Sequence, residues 1–221
     1  MSDEAAFARR RHEMVRSQIE ARGMHDARVL AAMRAVPRER FVQRGWESEA
    51  YDDHPLPIAA GQTISQPYIV AFMSEALQLR GDERVLEIGS GSGYAAAVLG
   101  RLAKEVHTVE HHAVLAEGAR AALAALGIAN VQVHHADGTL GWPAAAPYDA
   151  IVVTAAGPQV PPALMEQLAP GGRLVMPIGE RDGAQWLVRL TRRSEQHTGR
   201  EELMGVRFVP LTGAQGWPEK R

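Results

Sequence analysis

Apolar residues recur at helical spacing in some stretches of this chain and form short continuous runs in others, and the change from one to the other predicts its elements. From Glu4 to Arg22, Met14, Ile19 and Ala21 stand among charges, which predicts a helix ended by Gly23. Asp26 is placed to cap a second helix over Ala27 to Ala35, and Pro37 stops it. Arg38 to Tyr51 has no clear period and supports only a short helix around Arg40 to Arg44. His54 to Gly61, with Pro55, Pro57 and Gly61, reads as a loop. Ile69, Val70, Phe72, Met73, Ala76 and Leu77 then mark a helix over Pro67 to Leu79, before Gly81-Asp82 and a strand at Arg84. From there strands and helices alternate. Strands are expected at Val85 to Ile88, Val106 to Val109, Val131 to His135, Tyr148 to Val153 and Arg173 to Ile178. Helices are expected from Tyr94, over Ala113 to Leu126 with Gly127 behind it, and over Pro161 to Leu168. Gln185 to Thr191 and Leu203 to Val209 read as two last strands, with polar Arg192 to Arg200 between them. The expectation is an α/β fold with a doubly wound, mainly parallel, seven-stranded Rossmann-like sheet, an antiparallel edge and an N-terminal helical extension. The division falls at 1–80, which holds the loop 54–67, and 81–221, which ends in the strand pair.

Composition adds mainly exclusions. The chain is 46% hydrophobic and 23% charged with a net charge of -2, so no global basic field attracts nucleic acid or anionic lipid. It has no cysteine, which rules out disulfides and thiolate chemistry and suits a reducing cytoplasm. No run approaches the roughly 20 apolar residues of a membrane span. A cytoplasmic monomer with no nucleic-acid or membrane partner is expected.

The chemistry gathers at Val85-Leu86-Glu87-Ile88-Gly89-Ser90-Gly91-Ser92-Gly93-Tyr94. An apolar strand ends in an acid, a glycine turn follows, and a helix starts. Such a turn lets a cofactor lie on bare backbone at a helix N-terminus. A carboxylate two residues before the first glycine repels a pyrophosphate and welcomes an ammonium group. Tyr94 also stands where the dinucleotide fingerprint has its third glycine. The turn therefore favours a nucleoside with an amino-acid tail, such as S-adenosylmethionine, over NAD, although glycine turns also serve packing alone. Glu110 closes the second strand, 21 positions after Gly89, where an acid holds ribose hydroxyls. Asp137-Gly138 follows the third strand, where an acid can accept from the adenine amino group and a glycine lets the ring approach. Asp-Gly is equally a common turn. Acids at three successive strand ends are harder to explain as turns and solvated ends than any one of them.

The second feature is Leu56-Pro57-Ile58-Ala59-Ala60-Gly61-Gln62-Thr63-Ile64-Ser65-Gln66-Pro67. Ser65 sits at the expected N-cap of the next helix, with Pro67 in its first turn. Two roles stay open for it: a structural cap, or part of a carboxylate-binding corner.

With these segments, Tyr148-Asp149-Ala150-Ile151-Val152-Val153-Thr154-Ala155-Ala156 and Val206-Arg207-Phe208-Val209-Pro210-Leu211, the chain resembles the protein-L-isoaspartate (D-aspartate) O-methyltransferases from about Met14 to Thr212. The glycine turn alone indicates class I methyltransferases; the Gln-Thr-Ile-Ser-Gln-Pro loop and the Val-Pro-Leu end narrow it. The resemblance implies methyl transfer from S-adenosylmethionine, leaving S-adenosylhomocysteine, to the α-carboxylate of L-isoaspartyl residues in damaged proteins and peptides. The ester then collapses to succinimide, part of which hydrolyses to aspartate. It further implies that Glu87, Gly89 and Gly91 line the methionine end, Glu110 holds the ribose, and Asp137 and Gly138 hold the adenine. Gln62, Thr63 and Ser65 would cover the methyl group, with Ser65 as the catalytic positioning group. Ala59, Ala60 and the backbone of Val209, Pro210 and Leu211 would line the peptide site. Two departures stand out, since Ala59 and Ala136 occupy positions where the family usually has glycine.

A metal is not expected. His134 and His135 point to opposite faces of a strand and cannot easily chelate one ion. A small-molecule methyltransferase fits less well because of the loop from Gln62 to Pro67. A non-catalytic peptide-binding module fits less well because the three strand-end acids and Ser65 are intact.

Overall fold

In the computed structural model, which describes residues 3–194 and 197–218, the chain enters through α1 (Asp3–Met14). The helical path continues through a wider turn at Val15–Ile19 and a tighter one at Glu20–Arg22, and Gly23 ends it at φ +90°. Asp26 caps α2 (Ala27–Ala35) as expected, accepting from the backbone N–H groups of Arg28 and Val29. The expected helix at Arg40 to Arg44 is instead a single turn at Arg38–Arg40, held by the buried Arg38, whose Nε donates to the Ala50 carbonyl. Inside the expected loop a small hairpin forms from β1 (Leu56–Pro57) and β2 (Thr63–Ile64). Strands of two residues are too short to show a period.

Next come α3 (Pro67–Ala76), β3 (Arg84–Ile88), α4 (Tyr94–Leu99), β4 (Glu105–Glu110), α5 (Ala113–Ala125) and β5 (Val131–His135). They are followed by β6 (Tyr148–Val153), α6 (Pro162–Gln167), β7 (Leu168–Gly179), β8 (Gln185–Arg192) and β9 (Thr198–Val206). The seven-stranded sheet has the order β5-β4-β3-β6-β7-β8-β9. Its first five strands run parallel, while β8 is antiparallel to both β7 and β9. The order reverses between β3 and β6, and ligands of open α/β sheets bind beyond the strand ends at such a switch.

The last strand departs most from expectation. It was expected at Leu203 to Val209 but occupies Thr198–Val206, because Arg200, Glu201 and Glu202 lie on an exposed edge strand with no apolar alternation to mark them. Arg189 of β8 pairs with Glu201 across the ladder at 2.6 Å. Phe208 to Leu211 consequently leave the sheet. Of the polar connection at Arg192 to Arg200, residues 195–196 lie outside the described residues.

Side chains alternate between two cores, as the pleat requires. Val85, Val106, Ala150 and Val152 face α4 and the N-terminal helices, joining Val29, Leu30 and Met33 in one continuous cluster. Leu86, Ile88, Ile151 and Val153 face the other side with Leu164, Leu168 and Leu174. The first cluster runs through the division at residue 80, so the helical extension shares its core with the sheet. No helix among the described residues is long and apolar enough to cross a membrane.

Candidate active site

The glycine turn leaves β3 at the switch point. Gly89 donates to the Val109 carbonyl at 2.8 Å, which ties the turn to β4. Its φ of +96° is open to glycine, and a Cβ there would come within 2.4 Å of Thr154 Oγ1. Thr154, just past β6, closes over the turn, its hydroxyl 2.7 Å from the Gly89 carbonyl and 3.0 Å from that of Ile88. A cavity of about 780 Å³ opens on this turn. Its walls include Ala60, Gln62, Thr63, Gly89, Gly91 and Glu110, with Gly138 and Val209 to Leu211 further round.

The three expected acids fare differently. Glu110 reaches the cavity wall, where its two oxygens accept from the N–H groups of Gly91 and His112, both at 2.9 Å. Glu87 is fully buried behind the turn and does not line the cavity. Its Oε2 accepts from the Thr108 hydroxyl, which shares a 2.6 Å hydrogen bond with Ser90 of the turn, and its Oε1 has no partner among the described residues. Burial pushes its pKa up to about 8; the Thr108 hydrogen bond opposes the rise and the nearby Glu110 charge adds to it. Asp137 turns away from the cavity. Its Oδ1 accepts from the N–H and hydroxyl of Thr139 and its Oδ2 from the N–H of Ala214, at 2.7–2.9 Å. Partial burial works to raise its pKa, but the hydrogen bonds from Ala214 and Thr139 outweigh that and hold the carboxyl below its usual range. Gly138 does line the cavity, and its missing side chain also admits Ile88, since a Cβ there would fall 2.5 Å from Ile88 Cγ2.

Ser65 is not the helix cap. The N-cap of α3 is Gln66, which makes no side-chain capping bond and instead donates from Nε2 to the Asp53 carbonyl. Pro67 fills the first helical position and holds Gln66 extended, so the helix starts one residue later than a Ser cap requires. The Ser65 hydroxyl is left with no hydrogen-bond partner among the described residues. Ser65 lines a void of about 30 Å³ together with Thr63, Gly89, Gly91 and Thr154 of and around the glycine turn. It also lines a second cavity of about 640 Å³, with Gln66, Tyr68, Arg207, Phe208 and others, but not the first. The two large cavities share Thr63, Thr154 and Val209 as a common wall.

The expected peptide-site residues do not gather on the second cavity. Ala60, Pro210 and Leu211 line the first cavity alone, Val209 stands at the shared wall, and Ala59 lines neither. The segment from Val209 to Leu211 is stitched to the end of β6: Ala156 donates to the Val209 carbonyl and Leu211 donates to the Ala156 carbonyl, each at 2.8 Å. Both departures from the family's glycines are absorbed by packing. Ala59 keeps a negative φ and packs on the helical core, and Ala136 packs on the opposite core. Residues to which the sequence reading gave no role in the site also line it: Thr154 between the cavities, His111 and His112 after Glu110, and Arg22 and Arg207 on the second cavity. Thr154 lies in one of the resemblance segments, so its position was visible although its role was not.

Comparison with known proteins adds to this geometry. Residues 9–216 match the model of the family described as Protein-L-isoaspartate(D-aspartate) O-methyltransferase (PCMT). Protein-L-isoaspartate O-methyltransferase 1 of Rhodopseudomonas palustris (strain HaA2) is 62% identical over 226 residues, covering 100% of this chain and 92% of its own. Protein-L-isoaspartate O-methyltransferase 2 of Pelobacter propionicus is 59% identical, over 94% of this chain and 92% of its own. Among solved structures, a protein-L-isoaspartate O-methyltransferase superposes with a TM-score of 0.85 at 31% identity, covering 93% of this chain and 67% of that one. A putative member from Plasmodium falciparum, solved with S-adenosyl-L-homocysteine, shares the fold at a TM-score of 0.78 and 24% identity, over 91% of this chain and 98% of its own.

Proposed function

The chain belongs to the protein-L-isoaspartate(D-aspartate) O-methyltransferase family, and from that premise we propose how its two cavities divide the reaction. The activity is methyl transfer from S-adenosylmethionine to the α-carboxylate of L-isoaspartyl residues in damaged proteins and peptides, with S-adenosylhomocysteine as product. The observation that carries our assignment is the Ser65 hydroxyl, unpartnered, on the wall of the second cavity and on a small void that the glycine turn also bounds, with the first cavity joined to the second at Thr63, Thr154 and Val209. The first cavity takes the cofactor and the second the peptide. The residues present fit this cofactor, with bare backbone at Gly89 and Gly91 and an acid on the wall at Glu110. Gly89 and Gly91 receive its methionine end, Glu110 its ribose, and Gly138 its adenine, while Gln62, Thr63 and Ala60 cover it. Glu87 and Asp137 act from behind, by holding the turn and the C-terminal segment. When bound, S-adenosylmethionine supplies an electrophilic methyl group.

The rest falls to this chain's own groups. A carboxylate acceptor has a pKa of about 4 and is ionised at neutral pH, so no general base is needed. Ser65 donates its hydroxyl to one carboxylate oxygen and turns the other toward the shared wall of Thr63, Thr154 and Val209. Closing both cavities around that wall excludes water from the reacting oxygen. In this division residues 1–80 bring the substrate loop and 81–221 the cofactor site, and we place the enzyme in the cytoplasm as a monomer. Calorimetric titration with S-adenosylhomocysteine and with NAD tests the first cavity. Following an isoaspartyl peptide for appearance of its succinimide and aspartyl forms tests the second. Binding of NAD alone, or an isoaspartyl peptide unchanged after incubation with S-adenosylmethionine, would contradict the assignment.

A further inference from the structure

Thr63 and Thr154 each line both large cavities and the small void at Ser65, and of the two only Thr154 is bonded to the glycine turn. Its backbone N–H donates to the Ile88 carbonyl at 2.9 Å, which continues the pairing of β3 with β6. Its hydroxyl lies 3.0 Å from that same carbonyl and 2.7 Å from the carbonyl of Gly89. A hydroxyl has one hydrogen to give. The Ile88 carbonyl already accepts from the N–H, while no other donor reaches the Gly89 carbonyl among the described residues, so the hydrogen belongs to Gly89. The other outside bonds of the turn tie it to β4 and its end: Gly89 N–H to Val109, Ser90 hydroxyl to Thr108, and Gly91 N–H to Glu110. Thr154 ties it to the end of β6. Only a residue without a side chain leaves room for this bond, since a Cβ on Gly89 would stand 2.4 Å from the hydroxyl oxygen.

We propose that Thr154 is a positioning residue for methyl transfer, its hydroxyl fixing the Gly89 carbonyl and with it the seat of the cofactor's methionine end. This rests on the reading of the first cavity as the cofactor site. Transfer needs the methyl carbon lined up with the carboxylate oxygen, and a misplacement of about 1 Å costs on the order of a hundredfold in rate. A carbonyl that loses its donor is free to swing, and its peptide plane swings with it. At Gly89, with φ at +96° and no Cβ, few steric contacts oppose that motion. The hydroxyl therefore acts on the donor's seat and leaves the grip on the peptide to Ser65 and the second cavity.

Three variants test this. Thr154→Val puts a methyl where the hydroxyl stood, Thr154→Ala removes the hydroxyl without crowding, and Thr154→Ser keeps it. Calorimetry gives the Kd for S-adenosylhomocysteine, and methyl incorporation into an isoaspartyl peptide at saturating S-adenosylmethionine gives kcat and peptide KM. In the Val and Ala variants Kd should rise about three- to tenfold and kcat fall about ten- to a hundredfold. Their peptide KM should stay within about twofold of the parent's, and Ser should recover most of both losses. A merely structural threonine would lower the melting temperature and leave Kd and kcat of the folded enzyme at the parent's values, which would overturn the proposal. So would a Ser variant as impaired as Ala, or a rise in peptide KM at unchanged kcat. Should Val or Ala fail to fold, the other carries the comparison with Ser. A parent enzyme that binds no S-adenosylhomocysteine would instead overturn the underlying reading of the first cavity.

Discussion

Ser65 and Glu87 show how far a residue's environment can depart from its local pattern. Ser-x-Pro left both a cap and a carboxylate-binding role open, but the cap is Gln66, and the Ser65 hydroxyl is free for a ligand. Ser65→Ala should therefore leave the melting temperature nearly unchanged, since no capping bond is lost. Cofactor affinity should also hold, while turnover on an isoaspartyl peptide falls about ten- to a hundredfold, the loss of one hydrogen bond to a charged group. A drop in activity only in step with stability would return Ser65 to a structural role. Glu87 was expected to face the cofactor because it is an acid before a glycine turn, and sequence gives no sign of which way such a side chain turns. It lies on the inner side, where burial pushes its pKa up to about 8. From the ordinary carboxyl range up to about 8, the folded state keeps a proton that the unfolded chain has released, so stability falls as pH rises through that window. Glu87→Gln keeps the shape and the neutral form. Its melting temperature should gain on the parent's steadily between pH 5 and 8, and parallel curves across that range would show that Glu87 is ionised in the fold.

At the scale of elements, hydrophobic pattern located what is buried and missed what is exposed or very short. β3 and β6 were readable as apolar runs, β4 and β5 as short valine-bearing strands ahead of an acid, and α2 by its Asp26 cap and apolar face. The hairpin of β1 and β2 was too short to show a period, and the start of β9 was hidden by its edge charges. Asp137 illustrates an acid whose element, not ligand, claims it: it fastens the turn after β5 to Ala214 near the C-terminus. Asp137→Ala should cost about 1–2 kcal/mol of stability, as for a lost N-cap, and speed amide exchange at Ala214. Weaker cofactor binding with unchanged stability and exchange would place the carboxylate on the adenine after all. On β4 and β5, His107 and His134 share a 3.0 Å hydrogen bond, His107 also meets Glu105 at 3.0 Å, and His134 stacks on Trp142. Burial lowers the His134 pKa to about 4, with His107 and Arg120 adding to it. The unfolded chain takes up that proton near the ordinary histidine value of about 6.5, so stability falls as pH drops from there toward 4. His134→Gln should soften the acid limb of the stability curve, and an identical limb in both proteins would exclude His134 as its source.

For the whole molecule, the mainly parallel sheet, its antiparallel edge and the glycine turn were legible because each rests on a pattern that survives in one dimension: strand-helix alternation, paired strands at the end, and an acid-glycine run; the strand order and its switch point come only from the fold. The second cavity was not legible. It is assembled from the loop before α3, the ends of β8 and β9, and the segment after β9, and only the fold brings Ser65, Phe208 and Arg207 to one cavity. On the proposed division, the shared wall of Thr63, Thr154 and Val209 lies between the methyl donor and the carboxylate acceptor. Methyl incorporation from labelled S-adenosylmethionine, measured side by side on an isoaspartyl peptide and its aspartyl twin, tests that division. The isoaspartyl peptide should label rapidly and the twin only at background. Equal labelling of the two, or none of either by an enzyme that binds S-adenosylhomocysteine, would contradict it.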